Sequence, residues 1–108
     1  MTFNELLEKI RERAAAIDPA GVGFLAVQVN ITDKDEGGVF YVEIKDGAIN
    51  IEPYDYHDRS CDFTVSQNNF LRIMEGKLDP VVAFSTGRLK VDGDLGKALE
   101  FSKLLKAK

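Results

Sequence analysis

The chain has 108 residues, 44% hydrophobic and 30% charged, with a formal net charge of -4. That length suits one domain around one core, and the composition carries no bias toward disorder, repeats or fibres. Acidic residues outnumber basic ones and the lysines and arginines are scattered, which argues against a nucleic-acid site built on phosphate contacts.

Phe3, Leu6, Leu7, Ile10, Ala14 and Ile17 fall on one helical stripe about 100° wide, with Glu5, Glu8, Lys9, Arg11, Glu12 and Arg13 around the rest. This predicts an amphipathic helix, ended by Asp18-Pro19 because the residue before proline is pushed out of the α region. Residues 1–16 mix charges with single apolar residues, so neither a signal peptide nor a membrane span is expected there.

Over residues 24–31 the period changes to two, with Leu25, Val27, Val29 and Ile31 on one side and Gln28 and Asn30 on the other, which predicts a strand. Residues 32–38 form a polar turn, and a second strand places Phe40, Val42 and Ile44 on one face. Asp46-Gly47 then supplies the two positive-φ residues of a tight hairpin. Pairing Lys45 with Ala48 sets Ile44 opposite Ile49 and Val42 opposite Ile51, so turn and pattern agree on one register. Pro53 ends the third strand, residues 54–60 read as a polar loop, and Cys61, Phe63 and Val65 alternate with Asp62 and Thr64 as a fourth.

Ser66 is the N-cap of a short helix with Phe70, Ile73 and Met74 on one face, stopped by Gly76. Asp79-Pro80 opens another, carrying Val81, Val82, Ala83 and Phe84 to a stop near Gly87. Leu89 and Val91 alternate with Lys90 and Asp92 as a fifth strand, and Asp94 caps a last helix over residues 95–106. Strands with one apolar face each, accompanied by helices, imply an α+β fold whose sheet is wet on one side and helix-covered on the other.

The last helix stands apart, because Leu95, Ala98, Leu99, Phe101, Leu104 and Leu105 spread over about 220° of its circumference, more than one sheet surface covers. The excess must meet a neighbouring helix, a second subunit, a membrane or a ligand. Lys103, Lys106 and Lys108 suit the negative end of that helix's dipole, with at most transient membrane contact.

Cys61 is the sole cysteine, so a reducing compartment, the cytoplasm, is expected. The C-terminal Lys106-Ala107-Lys108 is not a peroxisomal address of the Ser-Lys-Leu type. His57, the sole histidine, lies between Asp55 and Asp58, four positions from Cys61. A metal needs three or four ligands and a catalytic thiol needs an orienting partner, so this pair reads as a solvated imidazole and an inert buried thiol. No phosphate loop or carboxylate pair stands out, and neither enzymatic activity nor a cofactor or metal is expected.

The segment Gly76-Lys77-Leu78-Asp79-Pro80, followed by Ala83-Phe84, Gly87, Leu89-Lys90-Val91 and Gly93-Asp94, resembles the signature of the sterol carrier protein-2 family. The Asp46-Gly47 hairpin, the strand with Asp62 and Thr64, and the helix from Ser66 to Glu75 follow that family's order and spacing, so the resemblance spans residues 22–105. It implies a five-stranded mixed sheet: an antiparallel three-stranded meander, a crossover and two further strands, with helices packed on one face. Residues 1–108 then make a single lipid-binding domain.

The resemblance also implies non-catalytic binding, and intracellular transfer, of a fatty acid, acyl-CoA, phospholipid or sterol-like molecule in a hydrophobic tunnel between sheet and helices. Phe40-Tyr41 stands where the family often has a tryptophan, and Phe101-Ser102-Lys103 where glutamine-rich sequence is common, so ligand identity stays open. The candidate lining is Val27 and Phe40 from the sheet, Phe70, Ile73, Met74 and Phe84 from the middle helices, and Phe101, Leu104 and Leu105 from the last. A monomer or weak homodimer is expected. The other reading is a protein-interaction or dimerisation module, accessory to a lipid-metabolising enzyme.

Overall fold

In the computed structural model, which describes residues 2–19 and 21–106 except the side chains of Leu105 and Lys106, helix α1 (Phe3–Ala14) starts at a capping box. The Thr2 hydroxyl accepts the Glu5 N–H at 3.1 Å and the Glu5 carboxylate accepts the Thr2 N–H at 2.8 Å, satisfying donors that a helix start leaves open. The helix ends before Asp18-Pro19, and Ala16 and Ile17 close short turns by donating to the carbonyls of Arg13 and Ala14.

Strands β1 (Leu25–Ile31), β2 (Gly38–Lys45) and β3 (Ala48–Glu52) form an antiparallel meander. Strand β4 (Cys61–Val65) pairs with β1 in parallel and β5 (Leu89–Gly93) with β4 antiparallel, giving the order β3-β2-β1-β4-β5. The hairpin has the expected register, Ile44 opposite Ile49 and Val42 opposite Ile51. Asp46 and Gly47 supply it with φ of +53° and +78°.

Helices α2 (Gln67–Met74), α3 (Pro80–Ser85) and α4 (Leu95–Lys106) start at the expected caps. Ser66 Oγ accepts from the Asn69 N–H at 3.2 Å, and Asp79 and Asp94 carboxylates accept from Val81 and Lys97 at 2.8 and 3.1 Å. One face of the sheet meets Leu6 and Ile10 of α1, Phe70 and Ile73 of α2, and Ala98 and Phe101 of α4, all buried. Edge-on ring contacts link the layers, Phe40 with Phe70 at 5.8 Å and Phe63 with Phe101 at 5.3 Å. Arg11 ties α1 to the sheet's rim, its guanidinium donating to the Ile51 carbonyl of β3 at 2.7 and 3.1 Å.

The opposite face is not simply wet, and topology is the reason. Strands β3 and β4 run the same way on either side of the β1–β2 pair, so the chain must travel back along the sheet between them. Residues 53–60 do this across the outer face. Tyr56 meets Tyr41 edge-on at 5.0 Å, donates its hydroxyl to Glu43 at 2.6 Å, and donates its N–H to the Gln28 side chain at 3.1 Å. Ala26 and Gln28 are buried on that face. The segment expected to be a polar loop therefore supplies an aromatic cover. Its bond to Glu43, with burial, pushes the Tyr56 phenol up to about 12, and the same bond holds the Glu43 carboxyl below its ordinary range.

Candidate apolar binding site

Helix α4 separates two apolar spaces. On one side, α1, α2 and the β2–β3 hairpin border a small, partly open cavity lined by Ile10, Phe70, Met74, Phe101 and Leu104 among others, with a free volume of about 20 Å³. That is room for about one water molecule. On the other side an open groove runs between α3 and α4, floored by Leu89 and Val91 of β5. Its walls are Pro80, Val81 and Phe84 on one side and Leu95, Ala98, Leu99 and Ser102 on the other, and its free volume is about 210 Å³, an order of magnitude larger.

Local chemistry explains why this groove stays open. Helix α3 has six residues, with Asp79 as cap and Pro80 preset for the first turn. A helix so short buries a single stripe, here Pro80 and Ala83, and leaves Val81, Val82 and Phe84 half-exposed. On α4, Ala98 and Phe101 face the core while Leu95 and Leu99 remain exposed across the groove. The apolar arc that exceeds what the sheet can cover thus looks onto this space.

Ser102, the polar side chain among the lining residues, donates its hydroxyl to the Ala98 carbonyl at 2.9 Å. Its proton is already used within the helix. The groove therefore offers an alkyl group contact area with little directional recognition.

The residues singled out in the sequence fall on both sides of α4. Phe84 lines the groove, and Phe70, Met74, Phe101 and Leu104 line the smaller cavity. Val27, Phe40 and Ile73 are buried in the core and border neither of these spaces. The Leu105 side chain lies outside the described residues, as do the side chain of Lys106 and all of Lys108.

Sequence reasoning passed over Pro80, Val81, Leu89, Val91, Leu95, Ala98, Leu99 and Ser102 as lining. The signal was present in two places: the run Val81-Val82-Ala83-Phe84, apolar on every side of a short helix, and the outer part of the α4 arc.

Cys61 is buried inside β4, and burial, with Asp62 and Asp94 adding to it, pushes its thiol up to about 11. Among the described residues no group of three or more His, Cys, Asp and Glu side chains is placed to hold a metal ion. No helix among them is long and apolar enough to cross a membrane.

The sequence model of the SCP-2 sterol transfer family matches residues 3–106. Sterol carrier protein 2 of Homo sapiens is 27% identical over 104 residues, covering 96% of this chain and 19% of that protein. Hydroxysteroid dehydrogenase-like protein 2 of Bos taurus is 32% identical over 74 residues, covering 66% of this chain and 17% of that protein. The chain spans about a fifth of the length of these curated relatives. The solution structure of palmitated SCP2L2 from Aedes aegypti has the same fold, with a TM-score of 0.72 at 22% identity over 97% of this chain and 95% of that one.

Proposed function

The chain belongs to the SCP-2 sterol transfer family, and on that premise we propose that it binds one long-chain lipid, the alkyl part lying in the groove between α3, β5 and α4. The observation that carries this reading is the groove itself, about 210 Å³ of open apolar space whose one lining hydroxyl is already bonded. The smaller cavity has room for about one water and admits no chain unless its walls shift.

Each methylene removed from water contributes about 0.8 kcal/mol, so a chain of about sixteen carbons offers on the order of 12 kcal/mol before ordering and association costs. Even a fraction of that supports micromolar binding. A carboxylate or phosphate head stays at the mouth in water. The palmitated relative supports a fatty acyl chain as the class of ligand.

In this reading Val81, Phe84, Leu95 and Leu99 touch the ligand. Phe70, Met74, Phe101 and Leu104 line an extension that opens when α4 moves, and Met74 suits a variable guest because its side chain is flexible. Residues 1–108 act as one binding domain that carries lipid without catalysis, in a reducing compartment such as the cytoplasm.

Native mass spectrometry of the freshly purified protein tests this. Lipid-sized increments on the monomer mass, lost in Leu99→Asp, support the carrier. A monomer that stays bare even with added palmitate rules it out. A bare, concentration-dependent dimer favours the second reading, an interaction module; the exposed Leu95 and Leu99 on α4 are what recommend that alternative.

A further inference from the structure

The two edges of the sheet, β3 and β5, differ in how they are closed. On β3, Arg11 of α1 donates two hydrogen bonds, at 2.7 and 3.1 Å, to the Ile51 carbonyl and so blocks the addition of a further strand. On β5 nothing comparable is present among the described residues.

The register shows which groups β5 leaves open. The Asp94 N–H donates to the Ser60 carbonyl at 3.0 Å, one step beyond the Gly93–Cys61 pair. Bonded and non-bonded pairs alternate along an antiparallel ladder, so Lys90 and Asp92 turn their backbone groups toward β4 while Leu89 and Val91 turn theirs to the free edge. Among the described residues these edge groups meet no hydrogen-bonding partner.

Side chains alternate in the same way. Leu89 and Val91 floor the groove, so Lys90 and Asp92 project from the opposite face, where both are exposed and neither belongs to an ion pair among the described residues. Arg88 before the strand and Asp94 after it are exposed too, which gives every second residue along the edge the order positive, positive, negative, negative.

Charges of one sign repel a second copy, a common protection of edge strands. This order attracts one. Turned about a two-fold axis at Val91, β5 sets Lys90 against Asp92 of the second copy and Arg88 against its Asp94. A slip of two residues opposes Lys90 to Lys90 or Asp92 to Asp92, and a slip of one breaks the backbone match, so one register is selected. In that register the two Val91 residues exchange N–H to carbonyl bonds. Lys90 and Asp92 then fall at non-bonded positions, where opposed side chains come closest.

Asp92 has a further reason to accept a cation. It lies opposite Asp62 on β4, and Arg59 beside them is bonded to Asp62 through both Nε and Nη2. A lysine from a second copy offsets the carboxylate that remains.

We propose that two copies of this chain pair antiparallel through β5, forming one continuous sheet with both helical layers on the same face. The pairing goes beyond the carrier reading and leaves it intact, because the charges that select it lie on the face of β5 away from the groove. An edge of five residues makes a small interface, so a dissociation constant on the order of 100 μM is expected.

Sedimentation velocity of the full chain over a concentration series tests this, with circular dichroism confirming the fold of each variant. Wild type should dimerise at about 100 μM, and less so with added salt. Lys90→Glu and Asp92→Lys each set like charges face to face and should weaken the dimer about tenfold. An equimolar mixture of the two variants should restore it, since each supplies the charge that the other lacks. In wild type alone, the Val91 amide should exchange with solvent more slowly as concentration rises. A wild type still monomeric at about 1 mM would overturn the proposal. So would single variants that dimerise like wild type, a mixture as weak as its components, or a dimer whose Val91 amide exchanges at the monomer's rate.

Discussion

Tyr56 shows what single positions reveal and conceal. The caps Ser66, Asp79 and Asp94 and the Asp46-Gly47 turn are legible in the sequence because each acts on a backbone group within three residues. Tyr56 is not, since its partners Glu43 and Gln28 lie 13 and 28 positions away and only the return of the chain across the sheet brings them together. Its phenol is held to about 12 against an ordinary 10, so the folded protein binds that proton more tightly than the unfolded chain does. The resulting stabilisation is complete below pH 10 and is lost as pH rises toward 12. Glu43 works in the opposite direction: its stabilisation is present above its ordinary 4.5 and is lost as pH falls through the lower folded value. Tyr56→Phe should cost about 1 kcal/mol near neutrality, a hydrogen bond to a partly solvated carboxylate, and should flatten the fall in melting temperature above pH 10. Gly93 is a sharper case. Its φ is +104°, and an added Cβ would sit 2.8 Å from the Ser60 carbonyl oxygen and 2.9 Å from Cys61 Cα, both backbone atoms where the chain enters β4. Gly93→Ala should therefore lower stability by about 2 kcal/mol or more in thermal melts, whereas Gly47→Ala strains only its turn.

At the scale of elements, periodicity measures how wide an apolar face is and says nothing about what lies beside it. The α4 arc was readable from its spacing. Its division was not: Phe101 packs against Phe63, 38 positions earlier, while Leu95 and Leu99 look across a groove at α3. The two halves of the arc should consequently behave differently on truncation. In urea denaturation, Phe101→Ala should cost about 3–5 kcal/mol, since it removes a buried ring whose space the core cannot refill. Leu99→Ala should cost about 0.5 kcal/mol or less, in keeping with a half-exposed position, yet weaken fatty-acid binding severalfold. Equal stability losses at the two positions would mean that the groove is an ordinary part of the core. The short α3 carries the same lesson. Its cap, its proline and its stop were all evident, but a run of four apolar residues gave no sign of which one would be buried, and Ala83 is the one that is.

For the whole molecule, the element order and the β2–β3 register were legible in the alternating strands, the hairpin turn and the helix caps, while the mixed five-stranded arrangement was what the family resemblance implied. The outer cover of the sheet and the partition of free space around α4 were not, since both depend on how separate elements approach one another. The residues proposed from the sequence as lining divide around α4: Phe70, Met74, Phe101 and Leu104 border the smaller cavity, and Phe84 borders the larger groove. That space is the basis of the carrier reading, and amide chemical-shift mapping during titration with palmitate examines it most directly. Shifts concentrated in α3, β5 and α4, at residues 80–85, 89–93 and 95–102, are the predicted result. Saturating palmitate that leaves those amides unmoved, or moves only residues 53–60 on the outer face, would contradict the account.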